Sequence, residues 1–250
     1  MILNNMQNIL IGSAGAKAAY LGAVKVWGGV AFMPVMDGIT DYFDCTHGMT
    51  TDTWENLAGG ENAFWVGMEI QPDGSAGVTG RSWSYGQFTS PYTENRTIYA
   101  VFKTDPIGLV NSNGHILASC GGTVSYSTTG QLFSISVEGY QEPDYITSDQ
   151  MGIGAASTAT SESYHVVAVT RNNGLNVIYV DGVAHGTLSN NVAYGNYWGI
   201  GVIVHSNGII SNTASWEGLR QIKFIAVGST AHTAEEIAEN SAWLKNHFGI

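Results

Sequence analysis

The chain has 250 residues, a formal net charge of −11, and only 12% Asp, Glu, Lys and Arg, where about 25% is ordinary. Its nine Lys and Arg residues are scattered. That excludes the basic stripe by which a nucleic-acid binder displaces phosphate counterions and disfavours docking to an anionic membrane.

Thirty-two glycines stand against five prolines. This composition suits many strands joined by tight turns, because glycine supplies the positive φ angles such turns need. Read from the start, residues 1–10 carry no Lys or Arg ahead of a short, interrupted apolar stretch, which is not the pattern of a secretory signal. Residues 1–30 read as an opening segment of their own. Tyr20, Val24 and Val26 flank Leu21-Gly22-Ala23 as a short hairpin would, and Gly28-Gly29 breaks it. Such a segment is too small to bury a core, so it is either an anchor for another surface or the first strand of the main domain.

Residues 31–250 read as one domain. Strands are expected at 97–103, at 132–137 where apolar and polar residues alternate, at 164–170 and at 175–180. The turn chemistry of Arg171-Asn172-Asn173-Gly174 and then Asp181-Gly182 makes the last two part of an antiparallel meander. Further strands are expected at 198–204 and 219–227. One helix closes the chain: Thr233 and Glu236 form a capping box, Glu235 and Glu236 sit in the first turn, and Lys245 and His247 sit near the last. Ile237, Leu244 and Phe248 give it one apolar stripe, and Gly249 is its stop.

The stretch YHVVAVT at 164–170, followed by VIYVDG at 177–182, resembles the concanavalin A-like lectin/glucanase (laminin-G-like) superfamily. Its members often carry a W-H-H-V-A-V-T … L-Y-V-D-G pattern. The last strand and terminal helix, 216–249, are similar too. MDGITD at 36–41 and WENLAGG at 54–60 resemble the opening of such domains in bacteriophage structural proteins, and YLGAVKVW at 20–27 resembles a segment near the start of phage tail and virion proteins. Residues 61–91 match less clearly. The resemblance implies an all-β fold, a two-sheet antiparallel jelly-roll sandwich with a short C-terminal helix, which hosts lectins, glycosidases and inert structural modules alike.

Glucanases of this fold carry acid and nucleophile in a Glu-x-Asp-x-x-Glu strand, about 5 Å apart. The nearest stretch here, Glu69 to Asp73, has Gln71 in place of the first acid and Pro72 in the strand. No histidines or cysteines show zinc-site spacing. Asp37, Asp41 and Asp44 share a turn-rich stretch and are weighed as calcium ligands against a solvated acidic loop. Cys45 and Cys120 are read as two free thiols, with a pair between them as the alternative the sequence leaves open. The aromatic run at 81–92 is the signal for a ligand: Trp83, Tyr85 and Tyr92 are the candidate carbohydrate contacts, because sugar C–H faces stack on such rings. Tyr194, Tyr197 and Trp198 form a weaker group. The expectation is therefore a non-catalytic bacteriophage virion structural protein, a tail fibre or spike module or a capsid decoration, with no cofactor. It would be surface-exposed on a particle assembled in the host cytoplasm and would form a homo-oligomer, with a trimer expected from how such particles are built. Its partners would be other virion proteins through residues 1–30, with neither nucleic acid nor membrane insertion. The alternative is a lectin-like module recognising a host-surface glycan.

Overall fold

Short β-rich runs punctuated by glycine turns fold here into twenty strands among the described residues. The computed structural model describes residues 11–12, 15–16, 18–21, 24–28, 31–78, 84–104, 113–121, 132–138, 145–147, 154–156, 163–189, 195–210 and 219–250. The chain divides into two units, Met1–Met33 and Pro34–Ile250. In the first, β1 (Ile11–Gly12) pairs with β2 (Gly15–Ala16), and β3 (Ala18–Leu21) pairs with β4 (Val24–Gly28), placing Leu21 opposite Val24.

The second unit is a two-sheet antiparallel sandwich closed by one helix. Sheet A takes β6 (Thr53–Trp54), β7 (Ala63–Val66), β10 (Tyr85–Thr89), β12 (Asn113–Cys120), β13 (Leu132–Glu138), β14 (Tyr145–Thr147), β15 (Gly154–Ala156) and β19 (Tyr197–Ile200). Their spatial order is β15-β14-β13-β12-β19-β10-β7-β6. Sheet B takes β5 (Ile39–Asp44), β8 (Glu69–Ile70), β9 (Ala76–Val78), β11 (Arg96–Thr104), β16 (His165–Asn172), β17 (Leu175–Val180), β18 (Val183–Ser189) and β20 (Arg220–Gly228). Its order is β18-β17-β16-β11-β20-β9-β8, with β5 also paired to β20. Chain neighbours such as β10 and β11 lie in opposite sheets, so the chain crosses the sandwich repeatedly.

The expected meander is present. Asn173 and Gly174 have φ of 48° and 81°, and Asp181 and Gly182 have 51° and 85°. Positive φ at both central residues is the hairpin geometry that matches strand twist, and Asn172 duly pairs with Leu175 and Val180 with Val183. The strand expected at 198–204 ends at Ile200 instead. Gly201 turns at φ 81°, and residues 201–210 fold back, with Val204 bridged to Ile210.

Both sheets hide one face in a common core. Phe43, Ile98, Phe102, Val167, Val169, Ile222 and Ile225 from sheet B meet Trp54, Trp65, Phe88, Phe133, Ile135 and Trp198 from sheet A. Rings run through it in series: Phe43 lies 5.6 Å from Trp54 and 4.9 Å from Phe88, Trp54 stacks on Trp65, and Phe88 stacks on Trp198. Trp198, a candidate ligand ring by sequence, is therefore a core residue.

Helix α1 (Ala234–Phe248) begins and ends as the sequence expects. Thr233 and Glu236 form the capping box, and Gly249 takes the left-handed C-cap. Asn240 is fully buried; it accepts from Val35 N–H at 2.9 Å and donates to the Val35 carbonyl and the Tyr99 hydroxyl. His247 Nε2 donates to Asp44 Oδ2 at 2.7 Å. No helix among the described residues is long and apolar enough to cross a membrane.

These contacts set the acid response. Burial would raise the Asp44 carboxyl, yet hydrogen bonds from His247 and Thr46 outweigh it and hold the group below its ordinary value. Asp181 is lowered in the same way by His165 and the Val166 amide. Asp73, also against burial, is brought to about 2 by Tyr164 and Ser75. A carboxyl lowered by folding stabilises the native state above its unfolded value of about 4, and that stability is lost as pH falls through the folded value. Asp41 opposes the trend, since burial raises it. Denaturant midpoints measured from pH 5 to pH 2 are expected to drop steeply below pH 4. The Asp44→Asn variant should give a shallower curve; an identical slope would sink this assignment.

Candidate functional site

Directly opposed residues of an antiparallel pair share a face, so register defines the outer surface of sheet A. Thr53 lies opposite Phe64, Phe64 opposite Gln87, and Gln87 opposite Gly199. Two residues along, Val66 lies opposite Tyr85; two residues the other way from Gln87, Thr89 lies opposite Tyr197. The alternating partners Trp65, Phe88 and Trp198 point into the core, as the period-two rule requires.

This outer face has a covered part and an open part. Residues 201–210 form a strap over the covered part. Gly199 makes the close approach feasible: a Cβ there would stand 2.4 Å from the Val202 carbonyl oxygen. Val202 and Val204 pack with Tyr85, Val66, Tyr197 and Ile210, and Gln87 Nε2 donates to the Gly208 carbonyl at 3.4 Å. Beyond the strap, Ala118, Ser134, Ser136 and His115 on β12 and β13 are buried as well. His115 Nδ1 and Ser136 Oγ are 2.8 Å apart, and burial, with Arg220 contributing, brings this imidazole down to about 3. It is neutral at ordinary pH.

The open part runs over β6, β7, β10 and the start of β19. Phe64 is 45% exposed there, with its edge toward Tyr85 at 6.4 Å. Tyr197 is half-buried against Gly208, Gln87 lies between the two rings, and Thr89 donates to the exposed Glu61 carboxylate. Tyr92 stands at the rim, 49% exposed. Its loop is held by Tyr92 N–H donating to Asn196 Oδ1 at 2.8 Å, and by the buried Arg96 guanidinium, which donates to the Pro91 carbonyl and to Thr93 Oγ1. Strands lie about 4.8 Å apart, so this open strip is on the order of 15 Å wide. Gln87 itself is buried beside the strap, so the strip offers a ring face beside a carboxylate and a hydroxyl, the chemistry that pairs with a sugar's C–H face and its hydroxyl edge.

The sequence-level candidates fare differently. Tyr92 is on the rim of this strip. Tyr85 is on the same face but 9% exposed, at the other end of β10. Trp83 lies outside the described residues, as does Tyr194. Phe64 carries the open surface, with Tyr197 half-buried at its border with the strap. Phe64 was missed because an apolar ring alternating with Ala63 and Trp65 has no signal of facing outward until the register is known.

Most of the other reactive side chains described are bonded within the fold. Glu69 sits on the two-residue edge strand β8. Asp73 lies in the adjoining turn, accepting from Tyr164 at 2.6 Å and Ser75 at 2.7 Å. Asp41 and Asp44 point to opposite faces of β5, three residues apart. Asp41 accepts from Thr40 and Asn56, and Asp44 from Thr46 and His247. Among the described residues no group of His, Cys, Asp and Glu converges as a metal site would. Cys45 is a free thiol that burial, with Asp44 adding to it, pushes up to about 12, so it is not a nucleophile near neutrality. The Cys120 side chain lies outside the described residues.

Ser163 Oγ stands 3.2 Å from His165 Nε2, and His165 Nδ1 stands 2.9 Å from Asp181 Oδ2. The atom order is that of a hydrolase relay. Asp181 also accepts from Val166 N–H at 3.1 Å and faces Lys245 Nζ of α1 at 3.7 Å. These bonds tie the β17–β18 turn, the start of β16 and the helix together, which accounts for the arrangement as a structural latch.

No protein-family model matches the chain, and no curated protein matches it. Solved structures do. Trypanosoma rangeli sialidase in complex with 2,3-difluorosialic acid superposes with a TM-score of 0.64 at 15% identity, over 88% of this chain and 34% of that one. The binding domain of Paraclostridial Mosquitocidal Protein 1 gives 0.58 at 11%, over 84% and 53%. The binding domain of botulinum neurotoxin serotype D gives 0.56 at 9%, over 84% and 52%. This chain thus spans about a third of the sialidase and about half of each toxin domain. At such identities the likeness is one of fold: the chain is a two-sheet antiparallel β-sandwich.

Proposed function

We propose that this chain is a non-catalytic attachment module that binds carbohydrate through the open strip of sheet A. The observation that carries the reading is the exposed Phe64 ring on a regular sheet face, with the half-buried Tyr197 and the exposed Glu61 near it. A strand face positions such groups more rigidly than a loop does. Similarity in fold to two toxin binding domains supports attachment, while the sialidase likeness, over 34% of that chain, is one of fold alone. The phage-like patterns at 20–27 and 36–60, with the charge-poor surface, support carriage on a bacteriophage virion. In that setting residues 1–30 would dock to the particle, with several copies assembled together.

Phe64→Ala is expected to weaken binding on a glycan array or by calorimetry by about tenfold or more, the scale of losing one stacked ring, while leaving the thermal midpoint nearly unchanged. Tyr92→Ala should have a smaller effect from the rim. No binding to any glycan by the unmodified chain would overturn the carbohydrate reading. The non-catalytic reading is checked with a fluorophosphonate probe: labelling of Ser163, abolished by Ser163→Ala, would overturn it. Release of reducing sugar from host polysaccharide, lost in Glu69→Gln, would do the same. For the virion setting, deletion of residues 1–30 should abolish incorporation into particles.

A further inference from the structure

Resting on the carbohydrate reading, we infer that the open strip selects a short, uncharged saccharide and rejects sugars that carry a carboxylate or sulfate. The charged side chains flanking the strip are acidic: Glu61, which accepts from Thr89, Asp52 beside Thr53, and Glu94 two residues past Tyr92, all exposed. Among the described residues of the second unit no lysine or arginine is exposed on it; Arg96, which holds the Tyr92 loop, is itself buried. Lys103 and Lys223 lie against the Tyr164 ring on sheet B, at 4.8 and 4.5 Å, and Lys223 also faces Asp73. Lys245 faces Asp181. Arg96, Arg171 and Arg220 are buried within the sandwich.

An acidic sugar on this strip would meet like charge with no counterion supplied by the described residues, and the low-dielectric wall of the sheet makes such contacts cost more than they would in open water. A neutral sugar meets no such barrier. Its hydroxyls can donate to the exposed Glu61 carboxylate, a charge-assisted bond, while its C–H face covers Phe64. Length is limited by the strap. Residues 201–210 fill the face over Gly199 and Tyr85, so a polysaccharide cannot lie along the whole sheet, and the strip on the order of 15 Å wide accommodates a chain end. The likeness in fold to a sialidase therefore does not extend to a preference for sialic acid.

The test uses the full chain against glycans in matched pairs: galactose-, glucose- and N-acetylglucosamine-terminated oligosaccharides, each uncapped and capped with sialic acid or sulfate. The uncapped member of the bound pair is expected to bind about tenfold tighter at low salt, the gap narrowing as ionic strength rises. Glu61→Gln should shrink that gap by improving the capped ligand relative to the uncapped one. Tighter binding of capped glycans, or a gap indifferent to salt and to Glu61→Gln, would overturn the selectivity while leaving carbohydrate binding standing. Failure of every pair to bind would overturn the carbohydrate reading itself.

Discussion

Trp198→Ala is expected to destabilise the sandwich by about 3–5 kcal/mol, the range for removing a fully buried large aromatic. The side chain is completely inaccessible, stacks on Phe88 with ring centres 6.4 Å apart, and meets Phe133 edge-on at 6.2 Å. It is also the surface over which the buried Arg96 guanidinium lies, at 5.2 Å. Removing it therefore opens a cavity in the ring series and strips a cation of its π partner in the same step. Denaturant titration of the isolated variant should show the loss directly, with a fall in melting temperature of roughly 6–20 °C for a unit of this size. A loss under about 1 kcal/mol, well below the range for such a truncation, would mean that the rings do not pack as described.

Gly199→Ala should cost about 1–3 kcal/mol, the overpacking range, and its effect should be local. The added methyl would stand 2.4 Å from the Val202 carbonyl oxygen and 2.8 Å from Val204 Cγ2. One of these partners is backbone and cannot rotate away, so the strap must lift. Its internal hydrogen bonds, His205 N–H to Ile209 O and Gly208 N–H to His205 O, should then exchange with solvent faster, while amides of β11 and β16 keep their protection. Hydrogen-exchange measurement separates this from global destabilisation. Equal acceleration throughout the sandwich would refute a strap that rests on Gly199. Because Gln87 donates to Gly208 and Tyr197 packs beside it, the variant should also weaken glycan binding at the neighbouring strip.

The acid and binding experiments interrogate different parts of the molecule. The lowered carboxyls, Asp44, Asp73 and Asp181, all serve sheet B and its helix. The Phe64 strip is on sheet A. Binding can therefore be followed at pH 5 to 7 without entering the range in which those carboxyls titrate.

Features that depend on neighbours along the chain were legible from the residues alone. The turns at Asn173-Gly174 and Asp181-Gly182 follow from residues that tolerate positive φ. The helix follows from its own cap, dipole charges and stop at Gly249. The strands at β11, β13, β16, β17 and β20 follow from β-rich runs bounded by such turns, and with them the sandwich class. Which ring faces water did not follow, because that is set by pairing between strands far apart in the chain. Phe64 and Trp65 are adjacent and alike in composition, yet register with Gln87 and Gly86 sends one outward and the other into the core. Trp198 and Tyr197 divide in the same way against Phe88 and Thr89. The early end of β19 likewise needed the tertiary structure, since the apolar residues of 202–204 fit a strand equally well until the outer face of sheet A gives them somewhere else to be buried. A period of two tells which residues share a side. Only the partner strand, and what covers it, tells which side is wet.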